Sequence, residues 1–296
     1  ELVVANTTGI NAFIDGHSHT IIKGETVKDK NGKDVVLTQT GEYFSRIGMM
    51  VIDSETGAIS TDFIELSGDD ETGYSLASEL YKGTSIISDE TVKSIKDAWL
   101  KEIDDKLGQK IGTFEVTFDN YDSEGNRLVR GQETNSGDFT ADALYYLFDS
   151  MDLDVDVAIM NGGGIRNTAV TGDVTYKTCK DMHPFGNVAC LQTISGQQLL
   201  DVLEWGARRA GVSEEGSFMH VAGITYKINT SIENTTVADE MDVWLSGPTA
   251  YRVHDVKVYN KATGKYEPLD LSAQYNLAGY NYTLRDLGGG FAMLNG

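Results

Sequence analysis

Along much of this chain apolar and polar positions alternate over short stretches, and only a few segments repeat every three or four residues. Residues 11–15 (Asn-Ala-Phe-Ile-Asp) read as the end of a buried strand, and 16–20 (Gly-His-Ser-His-Thr) as the loop that follows it. Further short strands are expected at 35–37 and 48–53, with turns at Asn31-Gly32 and Thr56-Gly57. Residues 67–85 are polar and glycine-bearing, in the manner of a connector. Val92, Ile95, Trp99, Ile103 and Leu107 then recur at spacings of three or four, which is one apolar stripe of a helix. Ser88 or Asp89 can cap it, and Glu90 suits the positive end of its dipole. A bridge between domains and an ordinary core helix fit this stripe equally well.

From about Gly112 the pattern changes. Residues 114–118 alternate like a strand. Residues 135–138 offer caps for a helix running to Met151, and 155–160 read as a strand with little polar interruption. Ser195 opens another helix with Leu199, Leu203 and Ala207 inward and Gly211 past its end. Strands are expected at 224–228, 253–259 and 275–279. Helices and strands mix without strict alternation, so the fold class is α+β (mixed α/β). No internal repeat interrupts this reading.

Charge narrows the function. The 296 residues carry 24 Lys plus Arg against 45 Asp plus Glu, a formal charge of −21. That excess disfavours nucleic acid polymers and anionic membranes as partners. A small anion is still accessible to clustered arginines, because salt screens charges beyond ~10 Å. No stretch approaches the ~20 apolar residues of a membrane span. Two cysteines, Cys179 and Cys190, are too few for a disulfide framework, and both pairing and free thiols stay open.

Five places carry candidate chemistry. His17 and His19 can turn two imidazoles toward one metal ion, although a His-x-His pair alone is better read as two exposed loop residues. Asp15 is a candidate partner behind them. Asn161-Gly-Gly-Gly-Ile-Arg166 follows a strand; its glycines suit close approach of a ligand to exposed amides, and Arg166 offers a fork to phosphate or carboxylate. The alternative is a glycine turn with a surface arginine. Phe185, in His-Pro-Phe-Gly-Asn (183–187), is either a ring presented for stacking or a core residue, and pattern alone favours the core. Arg127 and Arg130 cluster in a chain short of cations, although a solvated face explains them too. Tyr280 and Tyr282 precede a second glycine cluster at 288–290 and could supply a second ring, or simply end a core strand.

Together these segments resemble one family, the 5′-nucleotidases. Phe-Ile-Asp-Gly-His-Ser-His-Thr (13–20) is similar to the last metal-ligand motif of their metallophosphatase domain. The run from Arg130 to Leu144, the motif 161–166, Pro-Phe-Gly-Asn (184–187) and Leu-Gly-Gly-Gly-Phe (287–291) follow in family order. The resemblance implies a metallophosphatase remnant at 1–65, a linker with bridging helix at 66–111 and a nucleotide-holding domain at 112–296. It also implies two divalent metal ions (Zn, Mn or similar), with His17 and His19 among their ligands and the other ligand motifs upstream of Glu1. This chain alone is then expected to be inactive. In the clamp, Arg130 and Arg166 are implied to hold phosphate and ribose, and Asn161 and Asn187 to touch the nucleoside. Phe185 and Tyr282 are the implied stacking rings. The family usually carries Asp where Gly289 stands, so weak discrimination of ribose is expected, with Asp286 and Asn281 as local polar substitutes. The implied partner is a small nucleotide or nucleoside, and the implied location is secreted, periplasmic or cell-surface. Cyclic-nucleotide phosphodiesterase, UDP-sugar hydrolase and non-catalytic binding module are the alternatives.

Overall fold

A computed structural model describes residues 2–42, 44–69, 73–76, 85–87 and 89–295. It divides into two compact units, Glu1–Trp99 and Leu100–Gly296. In the first, a short helix α1 (Leu2–Asn6) precedes strands β1 (Ala12–Ile14), β2 (Ile21–Lys28) and β3 (Asp34–Thr40), which pair in the order β1-β3-β2. A second sheet contains β4 (Arg46–Ile52), β5 (Ile59–Asp69), β6 (Gly73–Leu76) and β7 (Ser85–Ile86) in chain order. The stretch expected to be a connector is therefore partly strand, because β5 runs on to Asp69 and pairs back onto β6. Strand β1 forms as expected, but Ile14 is 72% exposed rather than buried. With three residues and β3 as its one partner, β1 is an edge strand with little to cover it.

Helix α2 (Glu90–Leu107) follows. Asp89 caps it by accepting from the Thr91 and Val92 amides at 2.9 Å each. Ser88 lies outside the described residues. The predicted stripe is there, but Val92, Ile95, Trp99 and Ile103 are all exposed, so the reading as an ordinary core helix is not met.

In the second unit the order is β8 (Lys110–Phe118), α3 (Asn135–Asp149), β9 (Val157–Asn161), β10 (Val170–Thr175), α4 (Tyr176–Met182), β11 (Ala189–Ser195) and α5 (Gly196–Ala207). There follow β12 (Met219–Ala222), β13 (Ile224–Ile228), β14 (Val237–Ala238), β15 (Trp244–Ser246), β16 (Val253–Asn260), β17 (Lys265–Pro268), β18 (Gln274–Tyr280) and α6 (Asn281–Leu284). The central sheet runs β11-β18-β9-β12; β9 and β18 are parallel and the outer strands antiparallel to them. Its strands alternate sides, as the two-residue period of a strand requires. Val157, Ile159 and Leu277 face a core with Leu199, Leu203 and Trp205 of α5. Ala158, Met160 and Ala278 face a second core with Ala141, Leu144 and Phe148 of α3. Being buried on both faces, β9 shows no alternation in its sequence. Each Leu-sized side chain in these cores contributes about 1.5–3 kcal/mol.

Two helix starts follow from local chemistry. Ser195 caps α5 in a reciprocal box with Gln198, as its sequence predicts. Helix α3 is capped one residue earlier than expected, by Thr134, whose hydroxyl accepts from the Gly137 amide at 3.1 Å. The other end of α5 is closed from a distance. Arg252, just before β16, donates to the carbonyls of Ala207 (2.6 Å), Arg208 (2.8 Å) and Ala210 (2.8 Å). Glu204 of α5 returns the tie, accepting from the Arg252 and Val253 amides at 3.0 and 2.8 Å. Cys179 and Cys190 are both free thiols.

Candidate functional site

The topology brings four segments to one end of the central sheet. Strands β9 and β18 are parallel, so the loop after Asn161 and the helix after Tyr280 leave from the same end. Strands β11 and β12 are antiparallel to them, so the segments preceding Ala189 and Met219 arrive there. The first segment carries Arg166, the second Tyr282, the third Phe185 and Asn187.

Two of the three glycine amides of 162–164 are turned inward rather than exposed to a ligand, contrary to the reading from sequence. The Gly162 amide donates to Phe218 O at 2.8 Å and the Gly163 amide to Gly216 O at 2.9 Å. A Cβ on Gly162 would stand 2.1 Å from Val129 O, and one on Gly164 2.4 Å from Met160 Cε. Close backbone packing, rather than ligand approach, demands glycine here. That packing seats the turn Leu128–Arg130 directly against the Arg166 loop. Asn161 joins the same seam: it is buried, and its Nδ2 donates to Gly216 O at 3.1 Å.

The arginines sense one another. Burial, followed by the like charges of Arg127 and Arg166, holds the Arg130 guanidinium below its ordinary value; Glu214 and Tyr121 offset this in part. Glu214 also accepts from the Arg127 amide at 2.7 Å. The Arg166 guanidinium carbon lies 5.8 Å from the centre of the Phe185 ring. Phe185 is 51% exposed, which removes the core reading that its pattern favoured.

Asn281 fastens the second aromatic segment to the first. Its Oδ1 accepts from the Val188 amide at 2.6 Å and its own amide donates to Val188 O at 2.9 Å. Asn187 precedes that clasp and is partly exposed, while Tyr282 follows it. Tyr282 is 42% exposed, and a Cβ on Gly288 would enter its ring at 2.3 Å, so glycine is what lets the loop lie there. Asp286 is already engaged: Arg285 donates to both its oxygens at 2.7 and 3.0 Å, and Asn281 Nδ2 donates at 2.8 Å. Those donors hold its carboxyl below the usual range. Gly289 adopts φ 78°, and its carbonyl accepts from Trp205 Nε1 at 2.8 Å.

One residue of this end escapes sequence reasoning. His220 on β12 is 2% exposed, and its Nε2 donates to Val129 O at 2.9 Å. A histidine within a four-residue strand gives no signal of that reach. A cavity of about 650 Å³ is lined by Glu133, Asp138, Asp142, His220 and Tyr226 among others, and by none of the six residues expected to hold nucleotide. Within it, burial and then the charges of Glu133 and Asp142 push Asp138 up to about 6.

His17 and His19 belong to the first unit. Both take left-handed backbone angles, φ 70° and 60°, in the loop after β1. His17 is exposed, and His19 Nδ1 pairs with Glu42. Asp15 accepts from the Gly16 amide at 2.8 Å. Among the described residues no group of three or more His, Cys, Asp or Glu is arranged to hold a metal ion. The donors among the described residues do not fit a two-metal centre by themselves.

The second unit is thus a mixed α/β domain, a sheet between two helices, with Arg130, Arg166 and the exposed Phe185 ring gathered at one end. Residues 110–296 match the family model for the 5′-nucleotidase C-terminal domain, and the chain belongs to that family. A trifunctional nucleotide phosphoesterase of Bacillus subtilis is 30% identical over 251 residues, which are 83% of this chain and 16% of that protein. A 5′-nucleotidase of Vibrio parahaemolyticus is 26% identical over 295 residues, 93% of this chain and 50% of its own length. The chain thus spans half or less of these relatives. The fold matches that of a 5′-nucleotidase precursor from Thermus thermophilus at TM-score 0.67 and 23% identity, covering 99% of this chain and 54% of that one. No helix among the described residues is long and apolar enough to cross a membrane.

Proposed function

We propose that this chain is the nucleotide-holding part of a nucleotide phosphoesterase, with its ligand seated at the end of the central sheet. The observation that carries the proposal is the grouping of Arg130 with Arg166, and of Arg166 with the exposed Phe185 ring. Two forked cations suit a phosphate, and a ring beside them suits a base. An anion between the arginines relieves their mutual repulsion. Tyr282 supplies the second ring and Asn187 a polar contact to the nucleoside. Asn161, buried in the seam, serves by holding the Arg166 loop in place.

His17 and His19 are proposed as two of the ligands of a centre of two divalent ions such as Zn or Mn. Such a centre clamps a phosphoryl group and activates water when its ligand set is complete. Because two imidazoles do not complete it, the residues of this sequence bind and orient, and on their own they do not hydrolyse. A surface or secreted location is part of the proposal, supported by a 22% identical cell wall protein of Listeria monocytogenes and by nothing in the chain itself.

Calorimetry with nucleoside monophosphates tests the reading. Arg166→Ala is expected to weaken binding about tenfold or more, the scale of a charge-assisted hydrogen bond. Unchanged affinity in a folded Arg166→Ala variant removes the proposed site.

A further inference from the structure

Arg130 stands on a single turn, Leu128–Arg130. Within it the Arg130 amide donates to Arg127 O at 3.0 Å and the Gly131 amide to Leu128 O at 3.0 Å. Val129 O has no part in this pattern. It points away from the turn, toward the end of β9 and β12, where Gly162 comes so close that a Cβ would stand at 2.1 Å. A buried carbonyl there requires a donor. His220 supplies it through Nε2 at 2.9 Å. From the 214–215 segment, Glu214 accepts from the Arg127 amide at 2.7 Å and the Glu215 amide donates to Arg130 O at 2.9 Å.

We infer that His220 is a positioning residue for the phosphate-holding turn: through Val129 O it sets where Arg130 stands relative to Arg166. The inference rests on the proposed nucleotide site. A carbonyl only accepts, so Nε2 carries the proton and Nδ1 is bare. Nδ1 faces the backbone of α3 at Gly137, where a Cβ would sit 1.8 Å from it. Phe218 meets the ring edge-on, with centroids 5.5 Å apart. The imidazole is therefore held from three sides, by the arginine turn, the first turn of α3 and its own strand. Burial holds it down to about 4, so at neutral pH the donor is a fixed, uncharged N–H. Such a strut transmits position, which matters at a bidentate site because a misplacement of ~1 Å can cost 10²-fold.

The test separates phosphate holding from nucleoside holding. Calorimetry on the 296-residue chain with AMP and with adenosine yields, as a ratio, the contribution of the phosphate. His220→Leu is expected to lower that ratio about tenfold with adenosine affinity unchanged. His220→Gln, whose amide nitrogen reaches where Nε2 stood, is expected to stay within about threefold of the parent. If His220→Leu does not fold, His220→Asn, too short to reach, takes its place. A ratio unmoved by loss of the donor, or lost equally in His220→Gln, overturns the assignment. A parent that gains nothing from the phosphate overturns the nucleotide site itself. Independently of any nucleotide, ¹⁵N spectra of the imidazole must show a slowly exchanging Nε2–H tautomer; the Nδ1–H form overturns the assignment directly.

Discussion

At the scale of single residues, exposure separates ligand contacts from packing. Phe185 has half its surface free, so Phe185→Ala should cost little stability and weaken nucleoside binding about tenfold, stacking being worth ~1–3 kcal/mol per base. A variant that melts several degrees lower and binds normally contradicts this. Gly162 is the reverse case. Gly162→Ala drives a methyl into Val129 O, so it should destabilise by about 1–3 kcal/mol in urea unfolding and disturb Arg130 as well. Gly289 belongs with neither. Its φ of 78° disfavours any side chain, and Asp286 is already taken by Arg285 and Asn281. With no free carboxylate there to read a diol, adenosine and 2′-deoxyadenosine should bind within a few-fold of each other. A preference of about a hundredfold for ribose, measured by calorimetry, counts against that account.

At the scale of elements, the two helices that sandwich the central sheet are fixed by polar ties as well as by their apolar faces. The carbonyls that close α5 accept from the Arg252 side chain, just ahead of β16, while Glu204 accepts from the Arg252 and Val253 amides in return. Arg252→Met strips those carbonyls of their side-chain donor while leaving the two backbone amides on Glu204 in place. The expected loss is about 1–3 kcal/mol by urea unfolding. Helix α3 carries the opposite arrangement. Asp138 sits in its first turn but lines the acidic cavity with Glu133 and Asp142. Its folded value, about 6, exceeds the ordinary 3.8, so the folded state binds a proton that the unfolded chain has released. The resulting stability is whole below about pH 4 and is lost as pH rises toward 6. Asp138→Asn should therefore raise the melting temperature at pH 7 and not at pH 3.5. The gain at pH 7 is about 1 kcal/mol, trimmed by solvent screening and by the helix dipole, which favours the charge. An equal gain at both pH values contradicts the carboxyl origin.

For the whole molecule, the net charge of −21 is a background that disfavours anions, against which the arginines at the end of the sheet act. Attraction of phosphate to it is local and should weaken with salt. The metal donors are as sparse as the cations: two histidines in one loop, and no larger donor group among the described residues. This chain with added Mn or Zn should show no appreciable phosphatase turnover. Turnover abolished by His17→Ala contradicts that expectation and requires metal ligands within these 296 residues.

Local chemistry determined much of this protein by itself. Apolar spacing, together with Ser195 and Asp89 as caps, located α5 and α2, because such signals act within one turn of chain. Motif order located the arginines, the exposed ring and the family. Other features were decided only where distant segments meet. Strand β9 reads as apolar without saying which residues face α3 and which face α5, since a strand buried on both sides has no polar face to mark. The glycines of 162–164 look the same in sequence whether they admit a ligand or a neighbouring backbone; the approach of Val129, Gly216 and Phe218 made the choice. His220 and Val129 are 91 residues apart, and no pattern in either neighbourhood predicts their bond. Short-range preferences were legible in the sequence, while burial and satisfaction of polar groups depend on contacts that exist only once the chain has folded.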